Sequence, residues 1–151
     1  MSSKEAPEFK DRETILGYFD LNRSKLPFGS NIVDATRLSG GYANFVFRLR
    51  FADTRTAVMK YYAPQLALIQ VSERDEKRAR FFVEKRALQL LGDAECLSDC
   101  MIRTPKLLAF DDDLFYLIME DCGSCTLTDA LSHKFDENDA TIDAFLKRLA
   151  M

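Results

Sequence analysis

The segment from residue 45 to residue 62 reads FVFRLRFADTRTAVMKYY, and it decides the fold class. In its first seven residues, every second side chain is large and apolar: Phe45, Phe47, Leu49 and Phe51. The residues between them are Val46, Arg48 and Arg50. A period of two predicts a half-buried β-strand over residues 45–51. The polar tetrad ADTR predicts a turn, and residues 56–62 predict a strand that returns beside the first. The sequence therefore predicts an antiparallel hairpin here.

The elements on either side of this hairpin complete an α+β pattern. Residues 32–38 predict a strand before it, and residues 72–92 predict a long helix after it, with Ser72 as N-cap and Gly92 as stop. Residues 106–111 and 114–120 predict two more strands joined by an acidic turn. Because consecutive hairpins favour antiparallel pairing, we expect a five-stranded antiparallel sheet packed on one long helix, followed by short helices.

The two ends of the chain predict less structure. Residues 1–10 are polar and charged and predict a tail, and residues 11–26 predict a short helix. Two short helical patterns follow Thr126. We therefore divide the chain into a tail with an N-terminal helix (1–30), a sheet-and-helix lobe (31–121) and a helical end (122–151).

The composition limits the classes of function. The 151 residues carry a net charge of −3, which argues against nucleic-acid binding because phosphate neutralisation requires a basic patch. We find neither a signal peptide nor an apolar run long enough to span a membrane, so we expect a cytoplasmic protein without a membrane partner. The single histidine, His133, excludes multi-histidine metal sites.

Two charged residues lie on elements that otherwise predict burial. Lys60 is deep in the third strand, and Glu84 falls on the predicted inward stripe of the long helix, which comprises Arg80, Glu84, Ala87, Leu88 and Leu91. The predicted outer face carries Arg78, Lys85 and Gln89. Taken singly, Lys60 is explained by an exposed strand edge and Glu84 by an i, i+4 pair with Arg80. Taken together, they predict an ion pair across the seam between sheet and helix, since buried charges require partners.

Four motifs in this order resemble a known family. They are LSGGYANFVFRL (38–49), AVMKYY (57–62), RFFVEKRAL (80–88) and TPKLLAFDDDLFYLIMED (104–121). Together they are similar to the amino-terminal lobe of the aminoglycoside phosphotransferase and choline kinase-like group, and in appearance to methylthioribose kinase-like fungal members. The similarity covers about residues 30–125. It implies that residues 31–121 are a protein-kinase-like amino-terminal lobe, and that 122–151 are a hinge and the start of a truncated helical lobe.

The resemblance also implies an ATP site. Lys60 would bind the α- and β-phosphates, and Glu84 would hold Lys60 by an ion pair. The loop over the phosphates would comprise Gly40, Gly41 and Asn44. The hinge, whose backbone contacts the adenine, would comprise Met119, Glu120, Asp121 and Cys122.

The part of the family's machinery that performs the transfer is not identifiable in the sequence. Family members use an aspartate base in an HGD-like loop, a following asparagine and an aspartate that binds Mg²⁺. Here Asp136 is three residues after His133, not two. We therefore assign no catalytic or metal-binding residue, and we expect the chain alone to be inactive as a kinase. The resemblance implies a small-molecule acceptor with a hydroxyl group in the complete enzyme.

Two other functions fit parts of the sequence. A zinc module would use the four thiols of Cys96, Cys100, Cys122 and Cys125. A non-catalytic interaction module would instead self-associate through apolar surface that the absent lobe normally covers. For that surface we expect exposed side chains at Phe115, Tyr116, Phe145 and Leu146.

Overall fold

The structure is a computed structural model that describes residues 6–39, 44–63, 74–92 and 104–124, with residues 74–78 described by their backbone alone. The two α-helices are α1 (Arg12–Leu21) and α2 (Arg74–Gly92), and a 3₁₀ turn spans Arg23–Lys25. The strands are β1 (Ile32–Arg37), β2 (Phe45–Phe51), β3 (Thr56–Tyr61), β4 (Leu107–Asp111) and β5 (Tyr116–Glu120). Neither helix is long and apolar enough to cross a membrane, within the part of the chain described.

The five strands form one sheet in the order β1-β2-β3-β5-β4, and every neighbouring pair is antiparallel. The prediction of an α+β fold with a five-stranded antiparallel sheet is therefore confirmed. Because β5 lies between β3 and β4 and is antiparallel to both, β3 and β4 are parallel to each other. A connection between parallel strands needs a crossover, and α2 lies in that connection.

A helix packs on each face of this sheet. Phe47, Met59 and Ile118 are aligned across β2, β3 and β5 and share one face, where they pack with Ile15 and Phe19 of α1. The alternate residues point to the opposite face. There Leu117 and Met119 of β5 pack with Phe81 and Leu88 of α2. The prediction placed only the long helix on the sheet, whereas the structure uses both.

The prediction of a tail over residues 1–10 is wrong at Phe9. This side chain is fully buried in the core under α1. Its ring packs edge-on against Tyr61 and Tyr116, with ring centroids 5.3 and 5.6 Å apart. A single aromatic residue in a polar segment has no periodicity, and this explains why the sequence pattern did not reveal it.

The inward face of α2 also differs from the prediction. Phe81 and Leu88 are buried, whereas Arg80, Ala87 and Leu91 of the predicted stripe are exposed. Lys85, predicted on the outer face, has only 14% of its side chain exposed. Its ammonium lies 2.6 Å from an Asp112 carboxylate oxygen and 4.6–5.6 Å from the centroids of three phenylalanine rings. A lysine can thus cover apolar surface with its alkyl chain while its ammonium is paired. A pattern of apolar residues therefore does not predict that Lys85 faces inward.

The acidic turn between β4 and β5 is confirmed, but it is longer than predicted. Asp111 accepts hydrogen bonds from the backbone N–H groups of Asp113 and Leu114, each at 3.0 Å. The turn continues to Phe115, which has a positive φ of 53°, so β5 begins at Tyr116. Tyr116, expected at an exposed interface, is fully buried in the core.

Packing divides the chain into two units, Met1–Asp121 and Cys122–Met151. The sheet and both described helices belong to the first unit. Of the second unit the structure describes only residues 122–124. The predicted helical patterns after Thr126 lie outside the described residues.

Candidate functional site

The ion pair predicted between Lys60 and Glu84 is present. Lys60 extends from β3 on the face covered by α2, and Glu84 lies on the third turn of that helix. The Lys60 ammonium donates to both carboxylate oxygens of Glu84, at 2.8 and 2.6 Å. The side chains are 24% and 33% exposed, so the pair lies at the boundary between the core and solvent. The strand and the helix place these two charges together.

The local i, i+4 alternative for Glu84 is not observed. Arg80 precedes Glu84 by one helical turn, but its guanidinium forms no ion pair with that carboxylate. Arg80 is exposed and forms no ion pair with another side chain in the described ranges. Its guanidinium lies on the wall of the cavity described below.

Tyr62 is a third member of this group, and the sequence analysis did not identify it. It follows β3 by one residue, its side chain is buried, and its hydroxyl donates to Glu84 Oε2 at 2.5 Å. Burial, together with this hydrogen bond, raises the pKa of the Tyr62 phenol well above its usual value. The phenol therefore remains protonated and a hydrogen-bond donor across the physiological pH range. Its position two residues after Lys60, hence on the same face, is the signal that could have indicated it.

The group borders an open cavity of about 440 Å³. The wall is formed by the residue preceding β2, by the end of β3 and by the exposed side of α2; the lining residues are Asn44, Lys60, Tyr62, Ala79, Arg80, Val83 and Glu84. Lys60 and Arg80 bring two positive charges to this wall and Glu84 brings one negative charge. Among the lining residues that the structure describes the charges sum to +1, which favours an anionic ligand.

Asn44 also lines this cavity. Its side-chain oxygen is buried and has no hydrogen-bond partner in the part of the chain that the structure describes. An amide oxygen accepts hydrogen bonds, as phosphate oxygens do, so this atom does not by itself indicate an anionic ligand. Of the three residues predicted to cover the phosphates, Asn44 lies at the cavity. Gly40 and Gly41 lie outside the described residues.

The predicted hinge lies at the end of β5. Met119 and Glu120 are the last two residues of the strand, and the Glu120 N–H donates to the Lys106 carbonyl at 2.9 Å. The Asp121 carboxylate accepts two hydrogen bonds from the Arg48 guanidinium, at 2.8 and 3.1 Å. This bidentate pair ties the end of β5 to β2, across β3. Cys122, in the second unit, is exposed.

The register of the sheet shows how the cavity is connected to the predicted hinge at the end of β5. Lys60 is opposite Leu117, and Val58 is opposite Met119. Residues two apart in a strand share a face and are about 7 Å apart. An apolar strip formed by Val58 and Met119 therefore begins next to Lys60 and leads to Asp121 on the same face of the sheet.

The residues of the other predictions are only partly described. Cys96, Cys100 and Cys125 lie outside the described residues, as do His133 and Asp136. Among the residues that are described, no cluster of three histidine, cysteine, aspartate or glutamate side chains could hold a metal ion. Phe115 of the predicted interaction surface is half-buried and packs against Phe81, while Phe145 and Leu146 are not described.

Comparison with models of known protein families finds no match for this chain, and no curated protein matches it either.

Proposed function

We propose that this chain provides the nucleotide-binding lobe of a small-molecule kinase and holds the phosphates of ATP at Lys60. The observation that carries the proposal is the ion pair between Lys60 on the third strand and Glu84 on the following helix, at the wall of an open cavity. Protein kinases position their phosphate-binding lysine by this combination of strand lysine and helix glutamate.

The hydrogen-bond capacity of Lys60 is consistent with this role. An ammonium group has three N–H donors, and Lys60 directs two hydrogen bonds to Glu84. One donor remains for a phosphate oxygen in the cavity. Arg80 adds a second cation on the same wall, which suits a ligand with more than one negative charge.

The base of the nucleotide would lie beside the half-buried Val58, two residues before Lys60. Val58 is aligned with Met119 on the face that carries Lys60. Met119 is largely buried in the cluster around Phe81, so it would support Val58 rather than contact the base. Flat aromatic bases bind well to such apolar surfaces. The hinge role of Met119, Glu120, Asp121 and Cys122 is part of this proposal.

The transfer step needs groups that we do not assign in this sequence. A base for the acceptor hydroxyl and carboxylates for Mg²⁺ would complete the site. With nucleotide positioning alone, we expect no metal-dependent phosphoryl transfer from the purified chain. The acceptor would be a small molecule with a hydroxyl group, bound mainly by the complementary lobe.

The interaction-module alternative has lost part of its basis. It requires apolar surface at Phe115 and Tyr116, but Tyr116 is buried in the core of the lobe itself. The zinc alternative depends on three cysteines outside the described residues. The nucleotide proposal is supported by described side chains, and we therefore prefer it.

The test is a calorimetric titration of the purified chain with Mg-ATP, for wild type and Lys60→Ala. Loss of the phosphate contact should weaken binding by about tenfold or more, equivalent to about 1.4 kcal/mol. Lys106→Ala is the matched control, because Lys106 is an exposed lysine that does not line this cavity. Equal affinity of wild type and Lys60→Ala would remove Lys60 from the site, and no binding to the wild type would refute the proposal.

A further inference from the structure

Tyr62 contacts both members of the Lys60–Glu84 pair. Its hydroxyl donates to Glu84 Oε2, the oxygen that also accepts the shorter hydrogen bond from Lys60. The Lys60 ammonium lies 5.4 Å from the centroid of the Tyr62 ring, within the range of a cation–π contact. One side chain therefore holds the carboxylate through its hydroxyl and the ammonium through its ring.

Tyr62 is itself fixed in position. Its side chain is 2% exposed and its ring packs edge-on against Phe81, with centroids 5.5 Å apart and an interplanar angle of 83°. Its backbone N–H donates to the Phe115 carbonyl at 2.9 Å, beyond the last ladder pair of β3 and β5. The hydroxyl is consequently presented to Glu84 from a rigid support.

The ion pair by itself has no such rigidity. Lysine and glutamate have long side chains, and here about a quarter and a third of their surfaces are exposed. Pairs of this exposure lose part of their attraction to solvent screening and to the entropy of holding both side chains. A third, immobile partner reduces that freedom before any ligand arrives.

We infer that Tyr62 is a positioning residue of this site, which orients the Glu84 carboxylate and, through it, the Lys60 ammonium. The inference deepens the proposed function. Only its predicted effect on ligand binding rests on that function. The arrangement of Lys60 in the ligand-free protein can be tested separately.

The informative variant is Tyr62→Phe. It removes the hydrogen bond to Glu84 but keeps the ring, its packing on Phe81 and its contact with Lys60. Tyr61→Phe is the matched control: Tyr61 is the adjacent buried tyrosine and belongs to the core cluster on the opposite face of the sheet. Circular dichroism establishes that both variants are folded.

The first measurement is the rate at which an amine-reactive ester acylates Lys60, followed by peptide mass spectrometry. The Lys60 nitrogen must leave the Glu84 carboxylate to reach the reagent, and a fixed carboxylate that holds it by two hydrogen bonds opposes this. Tyr62→Phe should accelerate acylation of Lys60 by about fivefold, as expected for the loss of one hydrogen bond of typical strength. Tyr61→Phe should leave the rate unchanged. A rate in Tyr62→Phe equal to that of wild type overturns the inference.

The second measurement is Mg-ATP affinity in Tyr62→Phe, Glu84→Gln and the double variant. If Tyr62 acts through Glu84, its substitution has little further effect once Glu84 is changed, so the two losses are not additive. Additive losses would show that Tyr62 acts by another route and would overturn the inference. If wild type does not bind Mg-ATP, the proposed function fails, and the acylation rates alone decide the role of Tyr62.

Discussion

Replacing Lys60 by Met and Glu84 by Gln, singly and together, measures how much their ion pair contributes to stability. Each substitution removes a charge and nearly preserves side-chain volume. Removing one partner leaves the other charge partly buried without its counter-ion, so each single variant should lose about 2 kcal/mol. The double variant should lose about 2.5 kcal/mol rather than the sum, because neither charge then remains unpaired.

The size of this coupling follows from the geometry. Two unit charges about 4 Å apart attract by about 4 kcal/mol at an effective dielectric constant of about 20, before desolvation is subtracted. Fully exposed pairs retain only about 0.2–1 kcal/mol, while hydrogen bonds to charged groups contribute about 1.5–3 kcal/mol. The Lys60–Glu84 pair has two short hydrogen bonds and intermediate exposure. We therefore expect a coupling of about 1.5 kcal/mol.

The assay is urea unfolding followed by far-ultraviolet circular dichroism. The chain has five tyrosines and no tryptophan, so tyrosine fluorescence provides a second probe. Coincidence of the two transitions tests whether a two-state free energy applies. This check is needed because the chain packs as two units.

The matched control is the pair of Arg23 and Asp20. Their hydrogen-bond distance is similar, 2.7 Å, but their side chains are 60% and 67% exposed. The same cycle with Arg23→Ala and Asp20→Ala should give a coupling below about 0.5 kcal/mol. If both cycles give the same small coupling, then the position of Lys60 and Glu84 at the core boundary does not strengthen their interaction, and our account of the site is wrong.

Two further predictions concern a core residue and the decrease of the unfolding free energy at acidic pH. Phe9→Ala should lower the free energy of unfolding by about 3–5 kcal/mol in urea titrations. The control is Leu21→Ala, at an exposed helix position, which should change this free energy by less than about 0.5 kcal/mol. Equal small effects would show that Phe9 is not a core residue. For Asp111, burial opposes ionisation, but the hydrogen bonds from Lys25 and from the turn outweigh it and lower the pKa of the carboxyl below its usual 3.8. Because the folded state then binds the proton less tightly than the unfolded state, this stabilisation is present above about pH 4 and is lost as the pH falls through the folded pKa. Asp111→Asn should therefore be about 1–2 kcal/mol less stable than wild type near neutral pH. In the same urea titrations this difference in unfolding free energy should be smaller near pH 3. A difference independent of pH would contradict this explanation.

Much of the sheet could be predicted because its information is local. The alternation over residues 45–51 and the ADTR turn define β2 and its connection to β3, and a period-two pattern depends only on neighbouring residues. The acidic turn before β5 is another local feature, since Asp111 binds the backbone of the two residues that follow Asp112. Boundaries were less accurate, as the later start of β5 shows.

The centre of the candidate site could also be predicted, for a different reason. A lysine and a glutamate that both interrupt apolar patterns must satisfy each other if their elements pack together. The pair formed by Lys60 and Glu84 follows from this requirement. Tyr62 could not be assigned in the same way, since a tyrosine in an apolar segment is equally consistent with ordinary packing.

The order of residues thus specified the strands, the long helix and the two charges that meet at the cavity. Only the tertiary structure determined that Phe9 fills the core, that α2 turns Phe81 and Lys85 towards the sheet, and that the Tyr62 hydroxyl reaches Glu84. The physical reason is the range of the interactions. Periodicity and turn chemistry act between near neighbours in the chain, whereas these three contacts join segments that become neighbours only when the sheet and its two helices pack.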